Sequence, residues 1–284
     1  MNKGKLYLCA TPIGNLEDIT FRVVKTLQEV DLIAAEDTRH SINLLNHFNI
    51  KTPMTSYHEF NKIDKAKILV EKIIGGVNVA LITDAGTPGI SDPGEELVRQ
   101  AAEEGIEITS LPGAVAAVTA LTISALPTRR FAFEAFLPSD KKERQNILEE
   151  LVNETRTIVL YEAPHRLKKT LVEIREYLGN RSISICKELT KIHEEVLRTS
   201  IDEAIEYYDN NEPKGEFVLV IQGKSFDEIK KEKAEQWESI SIYEHYLRYM
   251  DDGLNSKEAM KAVAKDRNIS KRDVYSEVLE NKDI

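Results

Sequence analysis

The stretch from residue 78 to residue 94 reads NVALITDAGTPGISDPG, a short apolar run followed by a long loop. Residues 78–83 have the length and composition of a buried β-strand. The 12 residues 83–94, here termed the glycine-rich loop, contain three glycines, two prolines and two aspartates. A loop this long is uncommon as a mere connection and costs conformational entropy to order, so its composition predicts a ligand-binding role.

On both sides of this loop, the first half of the chain alternates between two kinds of segment. Strand-like apolar runs occupy residues 5–11, 31–35, 78–83 and 106–111, and helix-like segments occupy 19–30, 43–48, 63–74, 93–104 and 114–126. This βα rhythm predicts a parallel sheet covered by helices. We assign this first α/β domain to residues 1–120.

Three further loops follow strands of this domain, at residues 11–15, 35–40 and 111–117. Ligands of open parallel sheets bind beyond the carboxyl ends of the strands, so all four loops are expected to meet at one edge. Glycines in them would let a ligand approach the backbone closely. Taken singly, each of these three loops is also consistent with an ordinary tight turn.

The second half follows a different pattern of strands and helices, which predicts a second α/β domain with a mixed sheet over residues 121–224. The boundary is expected near residues 118–130, with a cleft between the domains. Residues 225–284 are charged and predict a small helical appendage, in which Ser256 and Ser270 are candidate N-caps of a helix-turn-helix. Such a unit either binds nucleic acid or packs on the body of the protein.

The composition restricts the class of protein. The net charge of −10 over 284 residues argues against a protein that coats nucleic acid by bulk attraction. No run of about 18 apolar residues occurs, so no membrane association is expected. Cys9 and Cys186 lie in strand-like runs, where they fit small core residues, and the cysteine usage favours a cytoplasmic location.

Several common site motifs fail on their spacing. No G-x-G-x-x-G follows the first strand, and Gly223-Lys224-Ser225 lacks the earlier glycine of a phosphate loop, because position 218 is valine. The segment from Gly89 to Gly94 is one residue too long for a nucleophile elbow. The six histidines show no metal-ligand spacing, so no metal is expected.

Six segments in a fixed order carry a resemblance to a known family. They are residues 11–16 (TPIGNL), 34–39 (AAEDTR), 84–94 (DAGTPGISDPG), 111–113 (LPG), 161–166 (YEAPHR) and 187–191 (KELTK). Together they resemble the bacterial 16S rRNA ribose 2′-O-methyltransferases of the tetrapyrrole-methylase-like (class III) superfamily. The resemblance covers about residues 4–223. It implies transfer of a methyl group from S-adenosylmethionine to a cytidine of the decoding region, in a homodimer.

The resemblance also implies which residues bind the donor. Family members hold folded S-adenosylmethionine in the cleft between the domains. By motif position, the implied contacts are Pro12, Asp84, Ala85, Gly86, Thr87, Ile90, Ala116, Ala117, Tyr161, Leu189 and Gly215. Members often carry a proline or serine where this chain has Ala114-Val115, which weakens any prediction of side-chain contacts there.

Methyl transfer to a ribose hydroxyl requires positioning and removal of a proton from a weak acid. Glu36, Asp37 and Arg39 follow a strand at the expected cleft, and Lys187 with Glu188 forms a second candidate set. An acidic residue there would accept the proton, and Arg39 would hold a phosphate or orient the carboxylate. Alternatively, Asp37 and Arg39 form a purely structural ion pair.

An RNA substrate requires local positive charge. The predicted RNA contacts in the second domain and its junction are Arg129, Arg130, Lys141, Lys142 and Arg166. Residues 257–272 add six basic side chains against two acidic ones. Each cluster is also consistent with a solvated helix face. The overall acidity favours a preassembled partner, the small ribosomal subunit, over free 16S rRNA.

Other functions stay open at this stage. A methylase of a small tetrapyrrole precursor has the same fold, since fold alone does not decide function. A protein-modifying methylase of the superfamily is a further alternative. A non-enzymatic regulator built around the tail helices would bind nucleic acid without binding adenosylmethionine.

Overall fold

A computed structural model describes residues 3–282 and contains two α/β domains followed by a group of helices. The first domain has five strands: β1 (Lys5–Cys9), β2 (Leu32–Ala35), β3 (Met54–Ser56), β4 (Val79–Ile82) and β5 (Glu107–Leu111). They form one sheet in the order β3-β2-β4-β1-β5, and every pairing is parallel. The predicted parallel domain is confirmed, although the short edge strand β3 was not predicted.

Helices cover both faces of this sheet because its central strands are apolar on both sides. They are α1 (Phe21–Glu29), α2 (Thr38–His47), α3 (Lys62–Ile74) and α4 (Gly94–Glu103). All four residues of β4 are buried. One core cluster joins β1 and β4 to α3 and α4, and a second joins α1 and α2 to the other face. Parallel strands buried on both faces are typical of α/β proteins.

The second domain contains a mixed sheet, as predicted. Its strands are β6 (Phe131–Phe136), β7 (Thr157–Glu162), β8 (Ser182–Lys187), β9 (Glu195–Ser200) and β10 (Phe217–Ile221). Their order is β6-β7-β10-β8-β9, with β6 and β7 parallel and all other pairs antiparallel. One face is covered by α6 (Lys141–Leu151), α7 (Pro164–Leu178) and α8 (Ile201–Asn210).

The other face of the second sheet is covered by α5 (Ala116–Ile123). Ala117, Ala120 and Leu121 of this helix pack with Val159 of β7 and Val218 of β10. The helix carries no charged residue, which is why it can be buried between the domains. The predicted boundary after residue 120 therefore falls inside a helix that joins the two domains.

The tail forms four helices: α9 (Phe226–Glu235), α10 (Ile242–Asp251), α11 (Ser256–Asp266) and α12 (Lys271–Lys282). The last three enclose a small core that includes Tyr246, Val263 and Val274. The predicted N-cap at Ser256 is wrong. Asn255 is the N-cap, because its side chain accepts the hydrogen bond from Glu258 N, and Ser256 is the first residue of α11. The outermost residues of the predicted ranges, 1–2 and 283–284, lie outside the described residues.

Across residues 3–282, no helix has the length and apolar character needed to span a membrane.

Candidate active site

A cavity of about 330 Å³ lies between the two domains, with walls from both. The first domain contributes Glu36 and the glycine-rich loop. The second contributes Tyr161 at the end of β7, Leu189 after β8 and Phe217 at the start of β10. The carboxyl edge of the parallel sheet thus faces the second sheet, as the topology of such folds predicts.

The charge of this interdomain cavity indicates what it can bind. Among the described residues that line it, none is lysine or arginine, whereas Glu36, Asp92, Glu162 and Glu216 are acidic. Glu162 and Glu216 pair with Arg166 and Lys191 outside the lining, which leaves Glu36 and Asp92 to favour a cationic ligand over a phosphate-bearing one. S-Adenosylmethionine carries a sulfonium and an ammonium group, so the residues present fit this donor. In the part of the chain that is described, no group of three or more His, Cys, Asp or Glu side chains is arranged to hold a metal ion.

Asp92 organises the glycine-rich loop. Its carboxylate accepts hydrogen bonds from the backbone N–H groups of Gly89, Ile90 and Gly94 at 2.8–2.9 Å. A Cβ at Gly94 would lie 2.7 Å from Asp92 Oδ1 and 2.9 Å from Gly89 N, so the turn requires glycine at this position. One side chain therefore sets the backbone path of the loop beside the cavity.

Backbone hydrogen bonds tie the glycine-rich loop to the loop after β1. Thr11 N donates to the Gly86 carbonyl at 2.9 Å, and Gly86 N donates to the Thr11 carbonyl at 3.1 Å. Thr87 Oγ1 donates to the Ala114 carbonyl at 3.0 Å. Gly86, with φ of 84°, and Ser91, with φ of 67°, adopt left-handed backbone conformations. The conformation is free of strain for glycine but strained for Ser91, and strained backbone is often concentrated at ligand sites.

Tyr161 forms the opposite wall. Its ring packs against Phe133 and Phe136, with centroid separations of 5.0 and 5.6 Å. Its hydroxyl oxygen accepts a hydrogen bond from Ala117 N at 3.2 Å, at the start of α5. Burial raises the pKa of Tyr161, so the phenol stays neutral at physiological pH. The ring thus offers an apolar surface suited to an adenine.

Replacing Tyr161 by alanine is expected to weaken adenosylmethionine binding about 10-fold, because aromatic contact with a base contributes roughly 1–3 kcal/mol. Tyr161→Phe keeps the ring and loses only the hydrogen bond to Ala117, so it is expected to cost less than about 5-fold. Isothermal titration calorimetry on the three proteins measures both effects. Equal losses in the two variants would contradict the assignment of the ring to the donor.

Glu36 lies at the wall of the same cavity, directly after β2. Burial and the nearby charge of Asp84 raise the pKa of its carboxyl, with smaller contributions from Asp92 and Asp37 in the same direction. A carboxylate with a raised pKa is a stronger base than an ordinary glutamate. Of the predicted catalytic candidates, Glu36 is the one that borders the interdomain cavity.

The other catalytic candidates occupy different surroundings. Arg39 Nη2 lies 2.7 Å from Asp37 Oδ2, and this hydrogen-bonded pair lowers the pKa of Asp37 to about 2. The pair borders a neighbouring pocket that also contains Glu36. Lys187 Nζ forms an ion pair with Glu195 at 3.2 Å on the β8–β9 pair and does not line the cavity.

Seven of the eleven predicted donor contacts line the cavity: Ala85, Gly86, Thr87, Ile90, Ala116, Tyr161 and Leu189. Pro12 and Asp84 line an adjoining cavity that shares Ala85 with the first. Ala117 supports Tyr161 through its backbone N–H. Gly215 lies against the Glu188 side chain, where a Cβ would meet Oε1 at 2.5 Å, and it does not line the cavity.

Several lining residues were not predicted, notably Phe136, Glu162 and Phe217. Glu162 directly follows Tyr161 in the segment YEAPHR. Its place beside a predicted donor contact is the signal that could have identified it. Phe217 is the first residue of β10, so the expectation that ligands bind at the carboxyl ends of strands does not predict it. Because β10 runs antiparallel to β7, with Phe217 opposite Glu162, its amino end lies at the cleft.

The predicted RNA contacts fall into two groups. Four of them are exposed and lie around β6 and α6: Arg129, Arg130, Lys141 and Lys142. Arg166 instead supports the fold, because Nη2 donates to the Leu137 carbonyl at 2.6 Å and Nε lies 3.4 Å from Glu162 Oε1. The first four are therefore better placed to contact a phosphate backbone.

Comparison with known proteins identifies the family. The sequence profile of the Tetrapyrrole (Corrin/Porphyrin) Methylases matches residues 5–205. The chain is 51% identical to "Ribosomal RNA small subunit methyltransferase I" of Halalkalibacterium halodurans over 97% of its length and 94% of that protein's. It is 47% identical to the protein of the same name in Bacillus subtilis, over 96% and 93% of the two chains.

The fold also matches solved structures. One is the uroporphyrin-III C-methyltransferase of Thermus thermophilus in complex with S-adenosylhomocysteine, with a TM-score of 0.54 and 18% identity. The match covers 77% of this chain and 97% of the other. This likeness supports the two-domain fold described above. With the profile match and the close relatives, it follows that the chain belongs to the tetrapyrrole methylase family and, within it, to the ribosomal RNA small subunit methyltransferase I group.

Proposed function

We propose that the chain methylates the ribose 2′-hydroxyl of a cytidine in the decoding region of 16S rRNA, with S-adenosylmethionine as the methyl donor. It acts on the small ribosomal subunit, in the cytoplasm and as a homodimer. The observation that carries the proposal is the position of Glu36, a carboxylate with a raised pKa at the wall of an acid-lined interdomain cavity. Its relatives, named for small-subunit rRNA methylation, support the substrate class.

The geometry supports the following roles for residues of both domains. The donor, when bound, supplies a methyl group activated by its sulfonium. The glycine-rich loop and Ala116 hold the donor on one side, and Tyr161 with Leu189 encloses its adenine on the other. The Asp92 carboxylate, which backbone N–H groups hold in place, would stabilise the positive charge of the donor.

Glu36 acts as the general base. A ribose hydroxyl is a weak acid, so its oxygen becomes an effective nucleophile only as its proton leaves. The proton passes to the Glu36 carboxylate while the oxygen forms a bond to the methyl carbon. The carbon–sulfur bond breaks, and its electron pair stays on the sulfur. In-line attack requires the hydroxyl to enter between Glu36 and the donor, opposite the leaving sulfur.

Mass spectrometry of rRNA tests this function in a strain that lacks the gene. We expect one ribose methyl group to be missing from a cytidine of 16S rRNA and to return when the gene is restored. Intact rRNA modification, together with altered corrinoid or sirohaem content, would reject the proposal in favour of a small tetrapyrrole substrate. Subunits purified from this strain then serve as substrate for the purified protein.

A further inference from the structure

A second pocket adjoins the interdomain cavity at Glu36. It has a volume of about 390 Å³ and is lined by residues 36–39 together with Ser56, His58 and Phe60. We term it the Phe60 pocket. Glu36 lines both spaces. A group that enters the Phe60 pocket therefore meets the proposed base, which also borders the donor cavity.

The ring of Phe60 is available for contact. Phe60 is 97% exposed, and its nearest aromatic neighbour is His58, at a centroid distance of 6.1 Å. Exposed phenylalanines are common singly, but this one borders a pocket that ends at the proposed base. Nucleobases taken out of a helical stack are commonly held by stacking on aromatic side chains.

The segment that carries Phe60 is anchored on both sides of the pocket. Tyr57, which is buried, donates from its hydroxyl to the Pro93 carbonyl at 2.8 Å and from its backbone N–H to the Ala35 carbonyl at 2.7 Å. His58 N donates to Asn61 Oδ1 at 2.9 Å. These bonds connect the Phe60 segment to β2 and to the end of the glycine-rich loop, so the ring projects from a fixed base.

Two polar groups complete the pocket. The Arg39 side chain lines the pocket, is 89% exposed and forms an ion pair with Asp37. A guanidinium in this position is suited to bind a phosphate of the RNA backbone. His58 Nδ1 is buried and has no hydrogen-bond partner within residues 3–282. A buried polar atom without a partner, beside a pocket, is a place where a ligand can supply one.

The other cavity next to the donor site fits a nucleotide less well. It is lined by the loop after β1, by parts of α2 and by Lys191 and Glu216. None of its described lining residues is phenylalanine, tyrosine or tryptophan, and Glu36 is not among them. His40 and His47 line it and offer a stacking surface, but a nucleotide held there would lie away from Glu36, the proposed general base.

We propose that the Phe60 pocket receives the target nucleotide of the RNA, with its base stacked on Phe60, its backbone phosphate at Arg39 and its ribose directed toward Glu36. This inference rests on the proposed function, because it names where the substrate of that reaction enters. The pocket binds one extruded nucleotide, whereas the exposed basic residues around β6 and α6 contact phosphates farther along the strand.

Methyl transfer to small ribosomal subunits lacking the modification tests the proposal, with tritiated adenosylmethionine as the label. Phe60→Ala is expected to lower kcat/KM for the subunit about 5-fold to 150-fold, the range that stacking of one base on an aromatic ring contributes. Adenosylmethionine affinity, measured by calorimetry, should stay within about twofold of wild type. Phe60→Trp keeps a stacking surface and should retain most activity.

A matched control is Phe21→Ala, because Phe21 is also 97% exposed but lies at the start of α1, away from the pocket. It should leave kcat/KM unchanged. The proposal is overturned if Phe60→Ala methylates subunits as wild type does, if it loses donor affinity in parallel, or if sedimentation shows that it changes the oligomeric state. Failure of the wild-type protein to methylate the subunits would instead reject the proposed function itself.

Discussion

Glu36→Gln is expected to lower kcat for ribose methylation about 100-fold to 10,000-fold, the range that a positioned general base contributes. Glutamine has nearly the same size as glutamate but cannot accept the hydroxyl proton. Because Glu36 is one of many residues that line the donor cavity, donor affinity should change much less than kcat. Single-turnover methylation of small subunits, with calorimetry of donor binding, measures both quantities.

The pH dependence supplies an independent check on this assignment. A general base works only when ionised, so activity should be present above the pKa of Glu36 and lost as the pH falls through it. Burial and the charge of Asp84 raise this pKa, which places the acid limb of kcat/KM above the ordinary glutamate value of about 4.3. The limb should be absent from the residual activity of Glu36→Gln.

The control for this variant is Glu29→Gln, at the exposed end of α1, which should leave kcat unchanged. Wild-type turnover by Glu36→Gln, or an acid limb that persists in that variant, would show that another group removes the proton.

Asp92→Ala is expected to weaken adenosylmethionine binding on the order of 100-fold. The carboxylate accepts hydrogen bonds from the N–H groups of Gly89, Ile90 and Gly94, and hydrogen bonds to a charged group contribute about 1.5–3 kcal/mol. Without the Asp92 carboxylate, the glycine-rich loop must become ordered when the donor binds. The entropic cost of this ordering makes the free energy of binding less favourable. Calorimetry with adenosylmethionine and with adenosylhomocysteine measures the loss.

Two further variants show whether loop order is the cause. Asp92→Asn retains one acceptor oxygen and should give an intermediate affinity. Asp227→Ala removes a carboxylate that is 92% exposed in α9 and should have no effect on donor binding. A thermal unfolding midpoint close to wild type, combined with weak binding, is the expected pattern for Asp92→Ala. Unchanged affinity would contradict the proposed role of the loop.

The sequence was sufficient to predict the two sheets and the donor loops for an identifiable reason. Apolar runs such as β4 are buried on both faces, and the glycines and prolines after them mark the carboxyl edge of a parallel sheet. These signals are local, because a few adjacent residues carry each of them. The edge strand β3 was missed because its three residues are too few to form a pattern.

Positions that depend on pairing between distant segments were not predictable in this way. Phe217 reaches the cavity because β10 is antiparallel to β7, which residues 217–221 do not reveal by themselves. Arg166 belongs to a basic motif, yet the Leu137 carbonyl and Glu162 engage its guanidinium. Phe60 lies in an unremarkable polar segment, and its position beside Glu36 becomes visible only in the folded chain.

The sequence by itself therefore determined the fold class, the family resemblance and the loops that line the proposed donor cavity, since periodicity and short motifs are encoded in neighbouring residues. The tertiary structure decided which acidic residue borders the cavity and which basic residues stay exposed. It also decided which aromatic ring lines the same pocket as Glu36. Those properties follow from burial and from contacts between residues far apart in the chain, which form within the first domain for Phe60 and between the two domains for the donor cavity.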